Sequence, residues 1–427
     1  MAKIEGLSHD SKILIAVAGI ASYLDAALLV STGIALTIWS TQFAVNTWWT
    51  GIISTMLSLA VALGSFLGGR LSDRYGRVRV FNLDILFTVL GAGIITLANS
   101  FPMLLLGLLV AGLASGADLP TSLAVISERV SHKNYGKAIS STEVFWVFGI
   151  ILSQAIGFIT AGTGTMSPRY MFGWLALVAL VNWGIRVFSG AFKNIETNLA
   201  AANTDSDATV DSQESTKKVS LKSLFKMPQY LLPMLTLTGF YLFWNIPANT
   251  WGSFVNYFLV TVGHQTQAVS TGLGLIANIA NVVILYLVYV KLADTKYRYV
   301  MMYVGLIISF LAFSLSGIFS EYWLVFAVAY VLYSSVNLFC GESVYKIWSQ
   351  SFFPTDARAS VTGFSYGVVR AITALFSLVT PTIMAKSPQM LMWILVVCVL
   401  FNALFGWTAT KLIRKYHVKD PVYNSKD

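Results

Sequence analysis

Long runs of apolar residues alternate with short polar interruptions along almost the whole chain. The apolar runs lie near residues 13–38, 48–69, 79–98, 101–126, 137–161, 170–189, 229–260, 268–291, 299–319, 322–350, 359–384 and 389–411. One bilayer crossing takes about 20 apolar residues. Inside hydrocarbon a segment must satisfy its own backbone hydrogen bonds, which a helix does. The pattern therefore predicts an all-α membrane protein with twelve transmembrane helices.

The composition excludes most soluble classes of protein. Of the 427 residues, 56% are hydrophobic and only 11% are charged, whereas a soluble globular chain carries roughly 25% charged residues. A soluble enzyme, a nucleic-acid-binding protein and a disordered chain are thereby disfavoured. The net charge of +9 is typical of a membrane protein with basic cytoplasmic loops. The two cysteines, Cys340 and Cys398, lie in apolar runs and are expected to be buried thiols rather than a disulfide or metal ligands.

The basic residues outside the apolar runs lie almost entirely on one side of the predicted membrane. That side, which includes both termini, carries 23 Lys and Arg residues, and the opposite side carries only Arg169 and Lys386. Cytoplasmic loops hold the excess of Lys and Arg. This asymmetry predicts that both termini are cytoplasmic.

A polar stretch at residues 193–226, rich in Asn, Thr, Ser, Asp and Lys, divides the apolar runs into two sets of six. Sequence of this kind cannot bury a core and is typical of a flexible linker. We therefore expect a six-helix bundle at 1–192, a cytoplasmic linker and a second bundle at 227–427. Leu71-Ser72-Asp73 recurs as Leu292-Ala293-Asp294, which indicates an internal repeat. Two repeated halves that rock around a site between them are typical of an alternating-access carrier.

The loop between the second and third apolar runs reads Gly69-Arg70-Leu71-Ser72-Asp73-Arg74-Tyr75-Gly76-Arg77-Val78-Arg79. Gly69 and Gly76 allow a tight reversal of the chain. Asp73 can accept hydrogen bonds from a neighbouring helix N-terminus. Arg74 and Arg77 can pair with it. We expect these five residues to form a conformational latch that must open during transport.

This loop resembles the signature loop of the major facilitator superfamily, and the helix count, linker and repeat extend the resemblance over nearly the whole chain. Tyr23-Leu24-Asp25 is similar to the Tyr-Asp pair in the first helix of sugar porters. Gly116-Ala117-Asp118-Leu119-Pro120 is similar to a fourth-helix motif of phosphate and organic-substrate symporters. The resemblance implies a sugar porter or metabolite–proton symporter. Leu108 departs from it, because it stands where sugar porters carry an arginine.

Several ionisable residues lie inside the predicted spans, where a charge is costly and needs a partner, a cavity or a function. Asp25 lies mid-span among apolar residues, and a lone carboxyl there can take up and release a proton. Asp118 belongs to the motif that resembles proton symporters. We expect Asp25 and Asp118 to couple transport to protons, although either can instead be a structural hydrogen-bond acceptor. Asp84 is expected to be a structural ion-pair member.

Polar and aromatic residues of other spans are the candidates for contacting a substrate. Amides both donate and accept hydrogen bonds, as hydroxyls do, and indole rings stack on the apolar face of a sugar. Pro247 and Gly252 are expected to weaken the seventh helix beside its amides. The resemblance puts Glu143 in place of a glutamine that contacts sugar. The expected substrate-binding residues are Glu143, Trp146, Asn245, Asn249, Trp251, Asn278, Asn281, Glu342, Lys346, Trp348 and Arg370.

Three of these expectations have structural alternatives. The amides can join helices to each other rather than bind a solute; they are Asn245, Asn249, Asn278 and Asn281. Glu342 and Lys346 are four residues apart, so they can form an ion pair on one helix face. Arg370 can either neutralise a carboxylate, such as that of Glu143, or bind an anionic substrate.

We therefore expect a monomeric carrier of the cell membrane, not an enzyme, that imports a sugar or an inositol-like polyol with protons. Its partners would be the small-molecule substrate, protons and lipid. No phosphate-cradling loop or metal constellation is seen in the sequence, so no cofactor is expected and a proton gradient would supply the energy. The alternatives are an organic-anion or acidic-sugar symporter, a drug–proton exporter and a transporter-like nutrient sensor.

Overall fold

A computed structural model describes residues 8–130, 135–190, 192–195, 197, 227–292, 295–353 and 355–418 of the chain. Every regular element in these ranges is helical. Within them, twelve helical stretches are long and apolar enough to cross a membrane. The predicted all-α fold with twelve spans is confirmed. The cytoplasmic placement of both termini stays a prediction.

The first six spans are single helices. They are α1 (His9–Gln42), α2 (Thr47–Tyr75), α3 (Arg77–Thr96), α4 (Phe101–Arg129), α5 (Tyr135–Thr160) and α6 (Met166–Phe188). A short 3-10 helix, Ala161–Thr163, follows α5. The turn from α2 to α3 is made at Gly76, whose φ of +92° is a conformation that glycine adopts without steric cost.

The last six spans contain two irregular helices. The elements are α7 (Pro228–Thr261), α8 (Gln267–Ile284), α9 (Arg298–Ile318), α10 (Trp323–Val336), α11 (Glu342–Ser351), α12 (Thr355–Lys386) and α13 (Pro388–Lys415). A π-helical turn, Leu285–Tyr289, continues α8. A 3-10 turn, Asn337–Cys340, separates α10 from α11 within the tenth span.

The chain divides into two compact units. The first unit is Met1–Val45 with Ile52–Ser215, and the second is Asn46–Gly51 with Thr216–Asp427. The expected linker at 193–226 lies for the most part outside the described residues, and its exact limits stay a prediction.

The same pattern of neighbours occurs in each unit, which supports the repeat expected from the sequence. In the first unit α1 packs against α4, α5 and α6, and α3 packs against α4 and α6. In the second unit α7 packs against α11, α12 and α13, and α9 packs against α10 and α13. Asn182 of α6 donates to the Val17 carbonyl of α1 at 3.1 Å. Asn402 of α13 donates in the same way to the Phe240 carbonyl of α7 at 2.9 Å.

Helices α2 and α4 cross in direct backbone contact through four glycines. These are Gly64 and Gly68 of α2 and Gly112 and Gly116 of α4. A Cβ added at Gly116 would collide with the Val61 carbonyl, and one at Gly64 would collide with the Leu113 carbonyl. Small residues at a four-residue spacing let membrane helices approach closely. The crossing is therefore fixed by backbone atoms, which cannot rearrange as side chains do.

Replacing Gly116 by alanine should lower the free energy of unfolding by about 1–3 kcal/mol, because a methyl group forced into a closed contact displaces the backbone. Gly93→Ala is the matched control, since Gly93 lies in α3 with no atom within 4 Å of the added Cβ. That control should be neutral or slightly stabilising. Thermal unfolding in detergent measures both, and equal midpoints for the two variants would contradict the contact.

Two features of the second unit differ from expectation. The seventh span, in which Pro247 and Gly252 are expected to weaken the helix, is unbroken, because α7 continues through Pro233 and Pro247. The break lies in the tenth span instead, at Asn337–Cys340. Cys340 lies in that turn and Cys398 lies in α13, and both are buried free thiols.

Candidate functional site

The break in the tenth span exposes backbone groups that a continuous helix would use internally. Trp244 of α7 occupies this place, and its indole nitrogen donates to the carbonyl of Asn337 at 3.0 Å and to the Asn337 side-chain oxygen at 2.6 Å. A Cβ at Gly341 would collide with the Trp244 ring. The glycine and the tryptophan together position the start of α11, where Glu342 is the first residue.

Glu342 is the centre of a charged group within the second unit. Its Oε1 accepts a hydrogen bond from the Tyr366 hydroxyl at 2.7 Å and lies 3.1 Å from the Lys346 ammonium. Arg370 interacts electrostatically with the same carboxylate. The side chains of Glu342 and Lys346 are 31% and 49% exposed, so both are partly open to solvent. We call Glu342, Lys346, Tyr366 and Arg370 the Glu342 cluster.

Aromatic rings hold the Glu342 cluster on one side. Tyr241 stacks on Tyr345 at 4.7 Å between ring centroids, and it packs against Tyr366 at 5.0 Å. Tyr241 also stacks on Trp244 at 5.8 Å. This packing fixes the Tyr366 hydroxyl next to the carboxylate. The arrangement offers an anionic acceptor, cationic donors and a phenol within one partly open site, which are the groups that bind hydroxyls or a carboxylate.

Of the predicted substrate residues, the structure brings Glu342, Lys346 and Arg370 together. The spacing-based expectation of an ion pair between Glu342 and Lys346 is confirmed. Neither Tyr366 nor Tyr241 was expected from the sequence. Their contribution depends on α12 and α7 packing beside α11, and an aromatic residue in a membrane helix is too common to single out.

The predicted amides mostly join helices or cap their own turns. Asn249 donates to the Ser377 hydroxyl of α12 at 2.8 Å, and Asn281 donates to the Ser334 carbonyl of α10. Asn278 donates to Gly274 within α8 at 2.8 Å. Asn245 is half-buried on α7. Asn249 and Asn281 thus follow the structural alternative of joining helices, and Asn278 bonds within its own helix.

Two of the predicted tryptophans are buried in the second unit. Trp251 is 2% exposed and packs against Phe326 at 5.0 Å between centroids. Trp348 is fully buried against Phe240 at 4.9 Å. The expectation that a sugar stacks on Trp251 or Trp348 is therefore corrected, because both rings are covered by core aromatic side chains in this structure. Trp146 is exposed on α5.

The two proton-coupling candidates of the first unit have different surroundings. Asp25 is buried in α1, with 3% exposure. Asp118 of α4 is 1% exposed and forms a buried ion pair with Arg186 of α6, with Nη1–Oδ1 at 2.9 Å and Nη2–Oδ2 at 3.3 Å. The partner of Asp118 was not predicted from the sequence, because Arg186 lies near the end of its helix and 68 residues away.

The structure describes the surroundings of only part of the predicted latch, and it does not describe the side chain of one predicted substrate residue. Arg74 is exposed at the end of α2, with its guanidinium carbon 5.4 Å from the Tyr75 ring centroid. Gly76 forms the turn to α3. The described residues do not include the side chains of Gly69, Asp73, Arg77 and Glu143. The latch stays a prediction.

Known proteins resemble the chain over most of its length. A sequence profile described as Major Facilitator Superfamily matches residues 15–378. The chain is 27% identical over 399 residues to the minor myo-inositol transporter IolF of Bacillus subtilis, which covers 90% of this chain and 87% of that protein. It is 26% identical over 371 residues to the probable metabolite transport protein CsbC of the same organism, covering 78% and 77%.

Solved structures show the same fold. A D-xylose-proton symporter superposes with a TM-score of 0.74 at 16% identity, covering 93% of this chain and 97% of that chain. The xylose transporter XylE from E. coli in an inward open conformation superposes with a TM-score of 0.72 at 15% identity, covering 93% and 96%. At these identities the likeness bears on the fold alone.

Proposed function

Because the chain belongs to the major facilitator superfamily and is a multi-pass membrane transporter, we propose that it imports a sugar or polyol together with protons. The observation that carries this proposal is the Glu342 cluster. A carboxylate held by a phenol and flanked by two cations, beside stacked aromatic rings, suits a solute with many hydroxyl groups. The name of the IolF relative, a myo-inositol transporter, supports an inositol-like polyol.

The proton part of the proposal is supported by the carboxyl groups of the first unit. Asp25, Asp84 and Asp118 are all buried within membrane-spanning helices. Buried acids at this depth are costly and are typical of proton pathways. Uptake of a proton with the solute would favour the inward step. The excess of basic residues in the loops supports insertion into the cell membrane with both termini in the cytoplasm.

Transport by the purified protein in liposomes tests this function. With a more acidic medium outside, we expect myo-inositol or a neutral sugar to accumulate above its outside concentration, and a protonophore should abolish the accumulation. Liposomes without protein are the control. A rate and extent of solute uptake that are the same with and without the pH gradient would contradict proton coupling. Export of a cationic drug without uptake of any sugar or polyol would indicate a drug–proton exporter instead.

One observation favours a second substrate class. The Glu342 cluster contains two cations, Lys346 and Arg370, and one carboxylate. An acidic sugar or another organic anion would have two cationic partners there. Lys346→Gln and Arg370→Gln separate the two classes. Transport of an anion should be lost in both variants, and transport that survives both changes would argue for a neutral solute.

A further inference from the structure

A second charged group lies inside the first unit, apart from the Glu342 cluster. It contains Asp84 of α3, Asp118 of α4 and Arg186 of α6, which are 8%, 1% and 2% exposed. All three lie in membrane-spanning helices, and Asp84 interacts electrostatically with both Asp118 and Arg186. We call these three residues the buried triad.

Asp118 and Arg186 form a closed pair within the buried triad. Besides its two contacts with Arg186, the Asp118 carboxylate accepts from the Ser122 hydroxyl at 3.0 Å. Arg186 also donates to the Phe81 carbonyl at 2.6 Å, and its guanidinium carbon lies 3.6 Å from the Phe81 ring centroid. A guanidinium stays charged in proteins, so its carboxylate partner is ionised. The pair as a whole is neutral, and it is held by the Ser122 hydroxyl, the Phe81 carbonyl and the Phe81 ring.

Asp84 is the carboxyl group that this pair does not neutralise. Its Oδ2 is buried and makes no hydrogen bond among the residues that the structure describes. An ionised carboxylate has only acceptor sites, and a buried acceptor without a donor is costly. If Asp84 were ionised, the buried triad would also carry a net negative charge in apolar surroundings. The cost of the net charge disappears when Asp84 binds a proton.

The groups around Asp84 are consistent with a proton site. The helices packed against α3 are α4 and α6. From α4 the carboxylate of Asp118 and the hydroxyl of Thr121 interact with Asp84, and from α6 Arg186 does. On α3 itself, Thr88 donates to the Asp84 backbone carbonyl at 3.1 Å, and Arg79 is exposed. Asp118 repels a negative charge on Asp84, whereas Arg186 is already bound by Asp118.

Arg186 has one further donor, which allows a second hydrogen-bonding arrangement of the buried triad. Its Nε is buried and makes no hydrogen bond within the described part of the chain. A deprotonated Asp84 would compete with Asp118 for the guanidinium, because both carboxylates would then be charged. Binding and release of a proton would thus change how Arg186 joins α3, α4 and α6.

We propose that Asp84 binds the coupled proton in the first unit, and that Asp118 and Arg186 are the positioning pair that holds its site. The proposal rests on the proton coupling proposed above. It differs from the expectation based on the sequence, in which Asp25 and Asp118 carry the proton and Asp84 is structural.

Solute-driven proton movement in liposomes tests this role. The unchanged protein should make the outside medium more alkaline when solute is added. Asp84→Asn, which keeps the shape of the protonated acid but cannot release a proton, should lose this signal and the accumulation, and should lose counterflow to a smaller extent. Asp25→Asn should keep the proton signal. Glu321→Gln, on an exposed turn, is the matched control and should behave as the unchanged protein.

The outcomes separate this inference from the proposed function. If the unchanged protein transports solute without moving protons, the proton coupling itself is wrong. If the unchanged protein moves protons and Asp84→Asn still does so, Asp84 is not the site. Loss of the proton signal in Asp25→Asn with its retention in Asp84→Asn would assign the proton to Asp25.

A measurement on the unchanged protein covers the case in which Asp84→Asn fails to fold. Dicyclohexylcarbodiimide reacts with protonated carboxyl groups in apolar surroundings, and mass spectrometry identifies the modified residue. We expect modification of Asp84 in acidic medium, slower modification in alkaline medium, and none at the ion-paired Asp118. Modification of Asp118 or Asp25 without Asp84, or no modification of Asp84 at any pH, would overturn the proposal.

Discussion

Replacement of Arg186 by methionine should lower the free energy of unfolding by about 3–5 kcal/mol, because removing one partner of a buried ion pair leaves an uncompensated charge. Arg186 and Asp118 have side chains that are 0% and 2% exposed, so water cannot replace the lost partner. The variant also loses the contacts to Phe81. Unfolding of the purified protein in a detergent titration, followed by circular dichroism, measures the change.

Two further variants show whether the loss of stability comes from the unpaired charge of Asp118. The double change Asp118→Leu with Arg186→Met removes both charges, and it should recover most of the loss because apolar residues of similar volume often replace a buried pair without cost. Arg169→Ala removes a partly exposed arginine that donates to Asn99 at 2.6 Å, and it should change stability by no more than about 0.5 kcal/mol. If Arg186→Met costs no more than Arg169→Ala, the pair does not stabilise the first unit.

Replacement of Glu342 by alanine should weaken solute binding by about 10-fold to 100-fold. Hydrogen bonds to a charged group contribute about 1.5–3 kcal/mol, and every 1.4 kcal/mol is a factor of about ten in affinity. The variant also leaves the Tyr366 hydroxyl and Lys346 without their shared acceptor. Isothermal titration of the detergent-purified protein with the solute found in the liposome assay measures the dissociation constant.

The comparison with two other variants shows whether the effect is local. Tyr366→Phe keeps the ring packed against Tyr241 and removes only the hydroxyl, so it should weaken binding less than Glu342→Ala does. Glu321→Ala, which removes an exposed carboxylate, should leave the affinity unchanged. An unaltered dissociation constant in Glu342→Ala, together with lost transport, would mean that Glu342 serves the conformational change and not binding.

The fold could be predicted from the sequence for two reasons. The thickness of the bilayer sets the length of each apolar run, and a segment in hydrocarbon must satisfy its own backbone hydrogen bonds, which a helix does. The Glu342–Lys346 pair was predictable for a similar reason, since four residues of helix bring two side chains to one face. Both inferences are local. They need no knowledge of which helix packs against which.

The errors concern contacts between helices. Asp118 meets Arg186 across 68 residues, and no local pattern joins them. Trp251 and Trp348 are of a residue type that commonly stacks on sugars, but neighbouring aromatic residues cover both rings. Pro247 suggests a break, although α7 accommodates it. The actual break follows Val336, where the indole of Trp244 from another helix bonds to Asn337.

The glycine crossing of α2 and α4 restricts how the first unit can deform. Where two helices touch through carbonyl groups and Cα atoms, as at Gly64 and Gly116, a lengthwise shift of a few ångströms would drive one backbone into the other. The two helices consequently move as one rigid body. Any conformational change that accompanies transport must either displace α2 and α4 together or be confined to the helices next to them.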